Sequence, residues 1–259
     1  MEGLSYIRDI EIKGLWGIKD ILWENLFPDV NILVGINGSG KTTLLNMMEA
    51  YYANKVSELK KYKGSFKGTP ACGKVYPLTY IHSLSTLVAA DKRKSDTPLV
   101  QELKSLVYQN GKGFSLFNYR MKMLDYPQEA VKIQQRIDLL FSLIDQFFAE
   151  TGKKVRFSKT NNSELEFVQG KGLVTLDDLS SGEMQLLIVL LRVFLLEGKP
   201  AVILMDEPDT SLHISWQNQL IDKIRELNDK SQLIIATHSP SIFGKGWGDR
   251  LVFMDDLSR

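Results

Sequence analysis

An apolar run at residues 30–34, Val-Asn-Ile-Leu-Val, leads directly into Gly35-Ile36-Asn37-Gly38-Ser39-Gly40-Lys41-Thr42-Thr43. This is G-x-x-x-x-G-K-[ST] at the junction between a predicted strand and a predicted helix. Few folds accept such a junction. The glycines let the backbone curl so that successive N–H groups face an anion. The helix beginning at Lys41 adds the positive end of its dipole. Lys41 supplies a flexible point charge for the outer phosphates of a nucleotide, and Thr42 offers a hydroxyl to Mg²⁺. Asn37, Gly38, Ser39, Gly40 and Thr43 complete the cradle. Apolar strands alternating with helices in the C-terminal third indicate, with this junction, an α/β fold whose parallel sheet is covered on both faces.

Composition narrows the setting. The chain has 259 residues, of which 44% are hydrophobic, enough for one large domain or two lobes. Its net charge of +1 gives no global field for nucleic acid or an anionic membrane. Cys72 is the single cysteine, so neither a disulfide framework nor a Cys-rich zinc site is available, and a reducing, cytoplasmic setting is expected. The first residues lack the basic start and long apolar core of a signal peptide. No run approaches about 18 uninterrupted apolar residues, so no membrane span is expected.

Three segments follow from the patterning. Residues 1–52 hold an N-terminal β element, with strands expected at 6–13 and 18–23, and then the phosphate loop and its helix. Residues 53–172 hold a basic loop, a helical insert and a β-hairpin. Within them, residues 54–74 carry Lys55, Lys60, Lys61, Lys63, Lys67 and Lys74, and read as an exposed loop around a short helix. That loop is a solvated linker or a nucleic-acid contact. A strand is expected at 75–81 and helices at 97–110 and 127–150. The second helix has an apolar face that includes Val131, Ile133, Ile137, Leu140 and Ile144. Two β-rich runs, 154–158 and 164–168, flank Thr160-Asn161-Asn162-Ser163 as a hairpin. Residues 173–259 alternate helix and apolar strand: helices at 182–197 and 213–228, strands at 201–205, 233–237 and 250–254.

The strand at 201–205 ends in Asp206-Glu207, at the edge where open α/β sheets bind ligands. Asp206 would hold Mg²⁺. Glu207 would polarise the water that attacks the γ-phosphorus. Leu179-Ser180-Ser181-Gly182-Glu183-Met184-Gln185 opens the long helix. Its small hydroxyl residues and Gly182 form a second anion site, an N-cap, or both. His238 follows the strand at 233–237, so it belongs to the same sheet edge and can donate to a phosphate oxygen. Trp16, beside Gly14 and Gly17, reads as a core residue.

These residues together resemble the ABC-type ATPase superfamily, and within it the SMC-, RecF- and OLD-like branch. The resemblance runs through residues 35–43 as Walker A, 179–185 as signature, 203–208 as Walker B and His238 as switch histidine. It implies a P-loop ABC-type ATPase head with a mostly parallel core sheet, an N-terminal antiparallel β element and a helical insert. Ser181 and Glu183 depart from the usual L-S-G-G-Q signature, and no clear Q-loop glutamine is present; His82 is a stand-in. For Trp16 the resemblance implies an adenine-stacking aromatic as the alternative to a core residue. The strings Asp206-Glu207-Pro208-Asp209-Thr210-Ser211-Leu212-His213 and Ala236-Thr237-His238-Ser239-Pro240 look like those of ATPases from prokaryotic anti-phage systems of Septu, OLD and retron type.

The resemblance implies ATP and Mg²⁺ as cofactors and a homodimer, or a higher oligomer, formed around ATP. Lys41, Thr42, Asp206 and Glu207 would come from one subunit, and Ser180 and Gly182 from the other. It implies a switch ATPase that controls a separate effector, a nuclease or toxin. With the chain ending soon after its last strand, the effector is expected on another chain. Two other functions fit less well. A RecF- or SMC-like DNA-directed ATPase would use the Lys-rich loop, although long coiled-coil heptads are missing. A transporter nucleotide-binding subunit conflicts with the altered signature.

Overall fold

A computed structural model describes residues 3–83, 97–108, 113–159, 164–244 and 246–258. In chain order it contains strands β1 (Leu4–Ser5), β2 (Ile7–Leu15), β3 (Lys19–Trp23) and β4 (Val30–Val34), then helices α1 (Lys41–Tyr52) and α2 (Val56–Leu59). Strands β5 (Ser65–Pro70), β6 (Lys74–Val75) and β7 (Leu78–Ile81) follow, then helices α3 (Pro98–Val107), α4 (Leu116–Asp125) and α5 (Ala130–Phe147). Next come β8 (Lys153–Phe157), β9 (Leu165–Gln169), β10 (Gly172–Val174) and helix α6 (Ser181–Phe194). The chain continues through β11 (Val202–Asp206), α7 (Ile214–Leu227), β12 (Gln232–Thr237) and β13 (Leu251–Phe253). Two compact units result: residues 1–83, 198–209 and 228–259, and residues 84–197 and 210–227.

The first unit is built on a five-stranded sheet of order β13-β4-β12-β11-β7. Every pairing in it is parallel. All five residues of β11 and all six of β12 are buried, as the near-continuous apolar runs of a sheet covered on both faces require. Register then decides the function. Asp206 lies opposite Ala236, and Thr237 opposite Val34, so β4, β11 and β12 release their carboxyl ends at one edge. The loop after β4, the acids ending β11 and the histidine after β12 are therefore neighbours by topology.

A second sheet of this unit, β3-β2-β5, is antiparallel. Ile7, Ile10, Ile12 and Leu15 of β2 alternate into a core shared with Leu44, Leu45 and Met48 of α1. Gln232, fully buried, locks β12 to the N-terminal segment. Its Nε2 donates to Ile7 O at 2.8 Å and Phe27 O at 2.9 Å, and its Oε1 accepts from Ile7 N at 2.9 Å. An amide satisfied on both ends can be buried at little cost.

The second unit holds α3 to α7 and an antiparallel sheet of order β10-β9-β8. Twelve of the fourteen residues of α6 are buried, which makes it this unit's central helix. Thr97 caps α3, with Pro98 in the first turn, and Ser115 with Asn118 forms a capping box on α4.

The structure corrects several expectations. The strand expected at 75–81 is divided: Lys74–Val75 pairs with β1, and Leu78–Ile81 joins the core sheet. Pro77, lacking an N–H, stands between them, and its carbonyl accepts from Val202 N at 2.9 Å. The expected basic loop contains helix α2 but also strand β5, paired with β2. Helix α4 adds to the two helices expected between residues 97 and 150. Val131 is 72% exposed and is not part of the buried face of α5, to which Leu143 and Phe147 belong. Thr160-Asn161-Asn162-Ser163 lie outside the described residues, although β8 and β9 do pair antiparallel on either side.

Candidate active site

The loop between β4 and α1 turns on Gly38 and Gly40, at φ +81° and +107°, where a side chain is strained. Lys41 is 5% exposed, and its Nζ donates to the carbonyls of Gly35 at 2.8 Å and Ile36 at 3.1 Å. The ammonium is thus held inside the curl of the loop. Ser39 Oγ is buried without a hydrogen-bond partner among the described residues. Thr42 remains exposed, and its Oγ1 donates to Asp206, 3.0 Å from each carboxylate oxygen.

A cavity of about 350 Å³ opens over this loop. Asn37, Gly38, Gly40, Lys41, Thr42 and Thr43 line it, together with Trp16 and Glu207. Trp16 is 44% exposed and sits at φ +52° in the turn between β2 and β3, so it is not a core residue. A large aromatic ring offered to solvent at such a cavity can take a flat ring against its face.

Asp206 is 3% exposed. Burial pushes its carboxyl up; the Thr42 hydrogen bond pulls it back, and the neighbouring Glu207 pushes it up further. A buried carboxylate beside an exposed hydroxyl is a hard-oxygen pair that suits Mg²⁺, which takes only one or two protein ligands beside phosphate and water. Among the described residues no group of three or more His, Cys, Asp or Glu could hold a metal ion.

Glu207 is left in the αL region at φ +45°, and its N–H donates to Ala236 O at 2.8 Å. Its Oε1 lies 3.3 Å from His238 Nδ1. Two groups that sequence patterning quoted but gave no role stand beside them. Thr237 Oγ1 donates to Asp209 Oδ1 at 2.7 Å, with Thr237 fully buried and Asp209 4% exposed. Burial pushes the Asp209 carboxyl up, against the pull of Thr237. Their only sequence signal was polar residues placed inside the acidic and histidine strings.

Ser180 and Gly182 belong to the second unit. Ser180 is the N-cap of α6 and forms a capping box with Glu183: Ser180 Oγ accepts from Glu183 N at 3.3 Å, and Ser180 N donates to Glu183 Oε2 at 2.9 Å. Glu183 is buried and ion-paired with Lys153 of β8, Nζ to Oε1 2.6 Å. A side chain on Gly182 would place its Cβ 2.4 Å from the carbonyl oxygen of Ser211, so glycine is required there on packing grounds alone.

Fold and site define an ATPase domain of the ABC-type superfamily. The AAA_21 family model, described as "AAA domain, putative AbiEii toxin, Type IV TA system", matches residues 87–244, more than half of the chain. The chain belongs to that family. The match takes in the signature, Asp206, Glu207 and His238 but not the phosphate loop. The chain is similar to Septu protein PtuA of Bacillus thuringiensis, 23% identical over 291 aligned residues that cover 90% of this chain and 72% of the relative. It is also similar to Retron Vc95 probable ATPase of Vibrio cholerae serotype O1 biovar El Tor. There the identity is 26% over 137 residues, 48% of this chain, which spans about a quarter (25%) of that relative's length. Among solved structures, the SMC head domain from Thermotoga maritima shares the fold, with TM-score 0.54 and 16% identity, over 96% of this chain and 94% of that one.

Proposed function

We propose that this protein hydrolyses ATP with Mg²⁺, closes as a homodimer around the nucleotide, and in doing so controls a separate effector, a nuclease or toxin, in anti-phage defence. One observation carries the chemical part. The Thr42 hydroxyl, at the wall of a cavity that Lys41 and Glu207 also line, donates to both oxygens of the buried Asp206. The loop N–H groups, including those of Asn37, Gly38, Ser39, Gly40 and Thr43, bind the phosphates, and Lys41 neutralises the outer ones. Thr42 and Asp206 hold Mg²⁺, whose charge offsets that of the phosphate oxygens. Glu207 orients the attacking water, and His238 steadies Glu207 and donates to the γ-phosphate. Trp16 stacks on adenine. Ser180 and Gly182 reach the γ-phosphate of the facing subunit. Positioning and charge neutralisation do the work, with no covalent intermediate. The defence role is supported by the Septu and retron relatives.

The deciding experiment measures phosphate release with and without Mg²⁺, for the wild type, Lys41→Ala and Glu207→Gln. Lys41→Ala should lose nucleotide binding. Glu207→Gln should bind normally and hydrolyse roughly 10²–10⁴-fold more slowly. Wild-type turnover in both variants would remove the assignment.

One observation favours a DNA-directed reading. Lys60, Lys61, Lys63 and Lys67 are exposed and have no ion pair among the described residues. Reversing the first three charges should abolish salt-sensitive DNA binding in an anisotropy titration if that loop grips phosphates. With a net charge of +1, the isolated wild type is expected to bind DNA little or not at all.

A further inference from the structure

Glu207 is held in a backbone conformation that a non-glycine residue adopts only where its surroundings impose it. On its upstream side the constraint is plain: β11 ends in the core sheet, and Glu207 N donates to Ala236 O at 2.8 Å. On its downstream side the loop leaves the sheet, and the next fixed point is Asp209. Its Oδ1 accepts from Thr237 Oγ1 at 2.7 Å. The same hydroxyl oxygen accepts from Ser239 N at 2.9 Å, and Ser239 Oγ accepts from Ser241 N at 3.3 Å. This chain of bonds joins the loop after Glu207 to the residues on both sides of His238. A short side-chain bridge therefore closes a ring that contains Glu207, Asp209, Thr237 and His238, and Glu207 Oε1 lies 3.3 Å from His238 Nδ1.

We infer that Asp209 and Thr237 form a latch that holds Glu207 against His238 and aims its carboxylate into the phosphate cavity. They are positioning residues: neither lines the cavity, and both act through the geometry of Glu207. The inference rests on the proposed role of Glu207 in hydrolysis. Thr237 is suited to the task because one hydroxyl both donates to the carboxylate and accepts from the backbone. Valine has the same shape and can do neither.

The test is a mutant cycle on the whole protein, with steady-state turnover, nucleotide affinity and thermal melting measured for each variant. Thr237→Val should lower kcat on the order of 10- to 100-fold, the scale of a small misplacement of a reacting group, and leave nucleotide Kd within about twofold. Thr237→Ser should restore the rate. Asp209→Ala should behave like Thr237→Val, and Asp209→Asn, whose carbonyl oxygen still accepts, like the wild type. Against a Glu207→Gln background, Thr237→Val should add almost nothing, because the group being positioned is already disabled. A purely structural bond would instead multiply the two defects, whatever the change in melting temperature. Wild-type kcat in Thr237→Val and Asp209→Ala, or fully multiplicative effects with Glu207→Gln, overturns the latch and leaves the ATPase assignment standing. Equal turnover in the wild type and Lys41→Ala removes the ATPase assignment and the latch with it.

Discussion

At the scale of single residues, Trp16 gives the most direct optical handle. Of the four tryptophans, Trp23 and Trp216 are 3% and 7% exposed, whereas Trp16 is 44% exposed and lines the phosphate-loop cavity. An adenine stacked on it should quench its emission. Trp16→Ala should weaken nucleotide binding by about 1–3 kcal/mol, the usual scale for base–aromatic stacking, and abolish the quench. Trp16→Phe should keep most of the affinity. If ATP titration quenches the Trp16→Ala protein as it does the wild type, the base lies elsewhere. Asp206 provides a second handle, because burial raises its carboxyl above the ordinary aspartate range. Protons then compete with a cation for that site, so Mg²⁺ affinity should fall as pH drops through the raised value, sooner than at an exposed aspartate.

At the scale of elements, the start of α6 combines an N-cap, a buried ion pair and a packing constraint. Burial opposes ionisation of Glu183, but the Lys153 ammonium and the Ser180 N–H and hydroxyl outweigh it and hold the carboxyl below the ordinary glutamate range. A depressed folded value means stabilisation that is complete above the unfolded value and is lost as pH falls through the folded one. Glu183→Ala, which leaves the partly buried Lys153 without its partner, should cost up to about 3 kcal/mol at neutral pH. Ser180→Ala should cost about 1 kcal/mol. Thermal melts should show the gap between wild type and Glu183→Gln constant near neutrality and narrowing only below about pH 4.5, the ordinary glutamate value. A gap unchanged down to pH 3 would remove the ionic explanation. Elements whose signal is local were legible in the sequence: β4, its glycine turn and α1 follow from adjacent residues. Strand β5 was hidden because Ser65, Lys67, Gly68 and Pro70 give no strand pattern and only pairing with β2 makes it a strand. Helix α4 was hidden because it buries only Leu116 and Tyr119. The meeting of Thr42 with Asp206, 164 residues apart, has no local signal; it was legible only because the phosphate loop and the end of the 201–205 strand were both expected at one sheet edge.

At the scale of the whole molecule, the proposed switch makes separable demands on two surfaces. Ser180→Arg leaves the phosphate loop intact and places bulk where the facing subunit's phosphate would dock. It should bind a fluorescent ATP analogue almost normally while turnover and ATP-dependent dimer mass are lost in light scattering. If it abolishes binding as Lys41→Ala does, phosphate contact across subunits is wrong and the α6 terminus is only structural. A nucleotide switch also needs a surface whose contacts differ between its two states, since a partner responds only to differential contacts. Residues 53–172, which the phosphate chemistry leaves unused, are the region proposed to carry it. Pull-down from the native host with wild type and with Glu207→Gln as baits should recover a genetically linked effector, with the amount or activity recovered differing between the two. Removing nucleotide binding by adding Lys41→Ala to both baits should abolish that difference without unfolding the chain. If both baits recover only themselves, and the protein alone supplies the biological phenotype, control of a separate effector is wrong. The exposed lysines of residues 60–67 then become the better guide to what this ATPase acts upon.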